Sequence, residues 1–174
     1  METWDAIRAR RNVRTFEDRP IPSDDLDRIL EAGRRSPSSR NWQPWDFVVV
    51  TDRERLQELA KVWRGAGHVV TSAATIAFVA PNPDDEFAQR WLGYDLGQAT
   101  MQMMLAAADL GIGTAHAAAE DQDLAREILG HPSDKHLSHL MSLGYPADRP
   151  LRPVERPDRR PFGDVVHRET WRGT

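Results

Sequence analysis

Ser36-Pro37-Ser38-Ser39-Arg40-Asn41-Trp42-Gln43-Pro44-Trp45 joins a helical pattern to the apolar run Phe47-Val48-Val49-Val50, and the chain is arranged about this stretch. Pro37 and Pro44 each set their own φ and turn the preceding residue away from helix. The loop therefore holds hydroxyls, amides and one arginine in place, which suits a flat heterocycle with polar edges. A proline-stiffened connector whose polar groups face water reads equally well from this stretch alone. A second loop shifts the balance: Arg10-Arg11-Asn12-Val13-Arg14 precedes it and is just as rich in anion-binding groups.

The periodicity around these loops predicts the remaining elements. A short helix covers 4–9, with Thr3 as N-cap and Trp4 and Ile7 facing inward. Ser23 caps a second helix whose apolar face is Leu26, Ile29, Leu30 and Gly33, with Asp24 and Asp25 in its first turn and Arg34 and Arg35 in its last. The run at 46–51 does not alternate and reads as a strand buried on both faces. Asp52 caps the next helix, with the stripe Leu56, Leu59, Ala60 and Trp63, ended by Gly65 and Gly67. Ala74 to Ala80 forms a second apolar strand. A long central helix spans roughly 85–110, apolar or small nearly all round, and its Met101, Met104, Leu105 and Ala108 read as core packing. Gly111 and Gly113 break it before a segment from Thr114 to Ala118. A helix at 121–129 stops at Gly130 and Pro132, and His139 to Leu143 is the last core strand. From 146 to 161 prolines and arginines alternate, which reads as an extended arm; Phe162, Val165, Val166 and Trp171 would anchor it.

The totals exclude much. At 174 residues the chain reads as one domain, 1–174, of ordinary globular composition, 40% hydrophobic and 29% charged. No run approaches the ~20 apolar residues of a membrane span, and no signal peptide follows Met1, so the expected location is cytoplasmic. The net charge of −4 argues against nucleic acid as a partner. With no cysteine, thiol nucleophiles and thiolate metal sites are excluded. His136 and His139 lack neighbouring ligands to complete a metal site, and no nucleophile elbow is present. Arginines, not lysines, crowd 8–19, 34–40 and 149–160, and arginine's planar fork suits phosphate. Such an inventory, without a nucleophile, suits a bound cofactor that does the chemistry itself.

Arg10-Arg11-Asn12-Val13-Arg14-Thr15-Phe16 and Ser36-Pro37-Ser38-Ser39-x-Asn41-x-Gln43-Pro44-Trp45 resemble the two opening motifs of the nitroreductase family. Ala107-Ala108-x-Leu110-Gly111-Ile112-Gly113-Thr114, Gly144-Tyr145-Pro146 and Arg159-Arg160-Pro161 with Asp164-Val165-Val166-His167 continue the match in order. The resemblance implies an α+β fold: a three-layer α/β/α sandwich with a mixed, mainly antiparallel sheet, in an intertwined homodimer, 146–174 being the C-terminal arm and anchor. It implies FMN at the subunit interface. Arg10, Arg11, Asn12 and Arg14 would meet phosphate and ring edge, with Arg159 and Arg160 at the phosphate. Pro37, Ser38, Ser39, Asn41 and Gln43 would border the ring, and backbone amides of Thr114, Ala115, His116 and Ala117 would approach it. No side chain is expected to be catalytic in itself; flavin N5 would pass hydride from NAD(P)H to a nitroaromatic, quinone or similar acceptor in a ping-pong cycle. Arg40 and His116 are the candidate substrate contacts. Asn12 stands where the family most often has serine, and the chain is short for the family. Flavin modification, heterocycle dehydrogenation, deazaflavin use and non-catalytic flavin binding remain open alternatives of the same fold.

Overall fold

The apolar runs become four strands, β1 (Asp46–Val50), β2 (Ala74–Pro81), β3 (Gly113–Ala118) and β4 (Lys135–Gly144), in a computed structural model that describes residues 1–171. Among the described residues five α-helices accompany them: α1 (Thr3–Ala9), α2 (Ser23–Arg34), α3 (Arg53–Leu59), α4 (Glu86–Asp109) and α5 (Gln122–Leu129). The sheet runs β1-β2-β4-β3 with each neighbouring pair antiparallel. Among the described residues its parallel pairing is the single bridge between Asn12 and Thr114.

Strand alternation sorts the core into two layers. Ile76, Phe78, Met141 and Leu143 pack beneath α2 and α4, while Ala77, Leu137 and Leu140 pack against α3 and α5. The register slips between Phe78 and Val79, where Ser138 is the extra residue on β4. That bulge is why His139 lies on the Phe78 side and Leu137 on the other. Each fully buried large side chain, Phe78 or Leu140 for example, contributes ~1.5–3 kcal/mol of transfer free energy. Gly33 lets α2 approach α4 closely, since a Cβ there would lie 2.0 Å from Met103 Cε.

Several expectations are corrected. Trp4 and Ile7 are 67% and 45% exposed, because α1 turns Ala6 and Ala9 inward instead. Thr3 and Ser23 are first helical residues and not caps; Glu2 and Pro22 precede them without a side-chain cap. β1 is an edge strand, half-buried over Phe47–Val49 in the single chain, so its continuous apolar pattern did not mean burial on both faces. α3 stops at Leu59, followed by a 3₁₀ turn at Ala60–Val62, well before Gly65. β4 begins at Lys135, earlier than His139. Met101 is exposed and Met103 takes the core position. By contrast Asp52 caps α3 as expected; Asp85 and Asp121, not singled out in the sequence, cap α4 and α5, each of the three accepting a backbone N–H three residues on.

The arm after β4 docks on the N-terminal segment of the same chain. Phe16 bridges Pro146, Ala147 N–H donates to Thr15 O at 3.0 Å, and Val154 N–H donates to Arg8 O at 3.2 Å. Beyond it Phe162, Val165 and Trp171 are exposed in the single chain, at 72%, 51% and 80%.

Candidate functional site

Residues 12–14 form an extended segment beside β3. Val13 is buried, and Asn12 and Arg14 alternate outward. Val13 N–H donates to Thr114 O at 2.9 Å, and a Cβ on Gly113 would meet Val13 Cγ2 at 2.6 Å. Glycine at 113 is thus what lets the arginine segment lie against the strand.

Arg10, Asn12 and His116 line one groove of ≈ 570 Å³ together with Gly97, Thr100 and Met104 of α4 and Ser138 and His139 of β4. β3 is the sheet edge here. Because Thr114 O points outward to Val13, strand alternation turns the His116 backbone N–H and C=O outward as well. A donor thus stands on the open edge beside two basic or amide side chains. Thr114, Ala115 and Ala117 are buried; they shape the wall and do not present side chains to the groove.

The groove floor is polar and neutral. Thr100 Oγ1 spends its hydrogen on Leu96 O at 2.7 Å, so His139 Nε2–H donates to Thr100 Oγ1 at 2.8 Å. Nδ1 then accepts from Ser138 Oγ at 3.2 Å. Burial, with a smaller push from His116, lowers the His139 pKa to about 4, which agrees with a neutral ring. Phe78 stacks on it at 4.1 Å between centroids. On the other sheet face His68 Nδ1 meets Ser142 Oγ at 3.0 Å; burial lowers its pKa, and Arg14 and His116 add to the effect.

Pro37, Ser38, Ser39, Arg40, Asn41 and Gln43 do not join this groove in the single chain. Their loop sits on the opposite side of α4. Asp95 Oδ2 accepts Ser39 N–H at 2.9 Å and Trp42 Nε1–H at 2.8 Å, and Gln98 Nε2 donates to Asp95 Oδ1 at 3.3 Å and Pro37 O at 3.4 Å. At 100° per residue, Asp95 and Gly97 leave the helix about 200° apart. The loop is unusual in its backbone: Arg40, Asn41 and Gln43 have φ of 51°, 57° and 50°, with Gln43 N–H donating to Ser38 Oγ at 3.0 Å. Arg40 borders a separate cleft of ≈ 240 Å³ with Trp42, Phe87 and Trp91.

Three more expected residues lie elsewhere. Arg11 turns to the arm, pairing with Asp148 at 2.7 Å and donating to Arg149 O at 2.7 Å. Arg159 and Arg160 are exposed and donate to the Asp158 and Asp164 carbonyls at 2.5 and 2.9 Å. Sequence reasoning missed Asp95, Thr100 and His139. For Asp95 a signal existed: it is the single charged residue between Trp91 and Ala108. Among the described residues no cluster of three or more His, Asp or Glu is arranged to hold a metal ion, and no helix is long and apolar enough to cross a membrane.

A sequence model described as the nitroreductase family matches residues 7–80 and 60–145. A protein of Archaeoglobus fulgidus with a provisional NADH dehydrogenase/NAD(P)H nitroreductase name is 33% identical over 169 residues, covering 95% of this chain and 96% of its own. The FMN reductase [NAD(P)H] of Bacillus subtilis is 27% identical, covering 98% of this chain and 74% of its own. The solved structure of NADPH:FMN oxidoreductase from Vibrio harveyi, complexed with NAD+, superposes with a TM-score of 0.82 at 27% identity, over 97% of this chain and 77% of that one.

Proposed function

The chain belongs to the nitroreductase family, and from that premise we propose that it is an FMN-dependent NAD(P)H oxidoreductase acting as a homodimer. The observation that carries this reading is the groove in which Arg10 and Asn12 stand beside the outward backbone N–H of His116 at the open edge of β3. Bound FMN would accept hydride from NAD(P)H and return it to a small acceptor, a nitroaromatic or quinone, in alternating half-reactions.

The residues present fit such a group. The outward His116 N–H is a fixed donor for a flat ring lying along the strand edge, where developing negative charge is stabilised without reorganisation. Arg10 on the groove wall and Arg14 one step along the segment supply charge-assisted bonds to a phosphate. Arg159 would join them from the arm of one or the other subunit. His139 stays neutral and, through Thr100, keeps the groove floor free of competing charge.

One chain holds the ring-edge loop and the groove on opposite sides of α4, so the expected constellation requires a second copy. The exposed stripe of α4, Tyr94 at 59% and Met101 at 42%, together with Phe162 and Trp171 of the C-terminal stretch, supplies apolar surface for that contact. The same two-copy arrangement would place Pro37, Ser38, Ser39, Asn41 and Gln43 of one subunit over the groove of the other.

The test is the absorbance spectrum of the purified protein, followed by anaerobic addition of NADH and NADPH. Bands of oxidised FMN that bleach rapidly are the expected result. Protein that purifies colourless and takes up no flavin on titration removes the reading; bound flavin that neither nucleotide bleaches leaves a carrier and removes the enzyme.

A further inference from the structure

Asp95 lies fully buried in α4, at 0% exposure, and is the single charged residue between Trp91 and Ala108. Every group placed against its carboxylate is an N–H donor: the Ser39 amide, the Trp42 indole and the Gln98 amide. Among the described residues no cation pairs with it. A carboxylate accepts only, so such a donor set matches its needs, yet taking it out of water is costly unless the partners repay it. What it holds is a loop in which three non-glycine residues, Arg40, Asn41 and Gln43, adopt left-handed φ. L side chains avoid that region, and residues kept there cluster where surrounding structure imposes a functional shape.

We propose that Asp95 is the positioning residue of the ring-edge loop: its Oδ2 clamps both Ser39 and Trp42 to α4, while Oδ1 accepts from Gln98, and it thereby keeps Ser38–Gln43 in the strained conformation that receives the flavin ring. The proposal rests on the flavin reading above. Asp95 touches neither ring nor phosphate; it acts through the loop. A first-contact residue on the phosphate would favour FMN over riboflavin, whereas a residue that shapes the ring-edge loop serves both flavins alike. Pre-forming the loop removes the ordering cost that a floppy loop would meet on binding.

The experiment uses the full-length protein stripped of flavin and titrated with FMN and with riboflavin, for wild type, Asp95→Asn and Asp95→Ala. In parallel the Trp42 indole N–H resonance is followed by ¹H–¹⁵N correlation, assigned through Trp42→Phe. Asp95→Asn keeps the size and one acceptor, so the indole signal moves little and both flavins weaken by about tenfold or less. Asp95→Ala removes the acceptor of two part-buried donors, so the signal shifts and both flavins weaken by about tenfold or more, at an unchanged FMN-to-riboflavin ratio. Partial rescue by asparagine over alanine is the expected order. Should the alanine variant fail to fold, the asparagine variant and Trp42→Phe carry the comparison, both weakening FMN and riboflavin in step. Variants whose indole signal moves while both affinities stay at wild-type values reduce Asp95 to packing and overturn the proposal. A loss confined to FMN overturns it too, by assigning Asp95 to the phosphate. Wild-type protein that binds neither flavin is a different failure, of the flavin reading itself, and needs no variant to be seen.

Discussion

Arg14 and Arg159 are proposed to meet one phosphate though they sit far apart in sequence and the single chain leaves both exposed. Each charge-assisted hydrogen bond is worth roughly 1.5–3 kcal/mol. Arg14→Ala and Arg159→Ala should therefore each weaken FMN by about one to two orders of magnitude, and riboflavin far less; equal losses for the two flavins would assign the arginines to the fold or the ring. Arg40 answers a different question. It borders a cleft with Trp42, Phe87 and Trp91 and makes no ion pair among the described residues. Arg40→Ala should raise KM for NADPH or an anionic acceptor while the FMN content of purified protein stays the same; steady-state kinetics beside flavin content decides, and lost flavin with constant turnover per flavin contradicts the role. His139 contributes to the pH dependence, beside His68 and His136, whose pKa values burial also lowers. Its pKa is lowered from the ordinary histidine value of 6.5 to about 4, chiefly by burial. The unfolded chain thus binds a proton that the folded one refuses between those two values. This contribution to stability is complete above pH ~6.5 and is lost as pH falls toward ~4, by at most about 3 kcal/mol since the groove side of the ring retains some solvent. Denaturant titrations of wild type and His139→Gln across that range should converge at the acid end.

At the scale of elements, the segment 12–14 and β3 form one unit because Gly113 has no side chain. Gly113→Ala would drive a methyl into Val13 and push the segment off the strand edge, taking Asn12 and Arg14 with it. Overpacking of this kind costs about 1–3 kcal/mol in stability, and FMN affinity should fall besides; flavin titration paired with thermal melting reads both, and an intact affinity would show that the segment relaxes without moving Arg14. α4 is the other organising element. Its helical pattern is interrupted by one buried carboxylate, and the three directions it serves are the core, the groove and the ring-edge loop.

At the scale of the whole molecule, the proposed site needs two copies of the chain. α4 leaves Gly93 and Gly97 exposed with nothing within 4 Å of a would-be Cβ, four residues apart and flanked by Tyr94 and Met101. Small residues at that spacing let a second helix approach closely. A homodimer of obligate size, above ~2,000 Å² in total, is expected. Equilibrium sedimentation should show a dimer at micromolar concentration for wild type and a shift toward monomer for Gly97→Leu, with loss of bound FMN in the same fraction. A folded wild-type monomer that keeps its flavin would sink both the dimer and the shared site.

Read from residues alone, the chain already specified its helices and strands within a few positions, the cap Asp52, the stop at Gly130 and the two polar loops. These are local matters: periodicity, proline and glycine act over a few residues, so they are legible in a string. The family motifs, likewise, were legible because their residues are contiguous. What lay beyond reach depends on contacts between distant residues. Trp4 and Ile7 satisfy a helical stripe yet face outward, because which stripe is buried depends on what α1 meets and not on α1 itself. β1 looks like a central strand and is an edge, since strand order is decided by how β2 and β4 pair. The side of α4 to which each polar loop goes, and the role of Asp95 in holding one of them, were likewise settled only by tertiary structure: a buried carboxylate takes its meaning from donors 53 and 56 positions away in the chain.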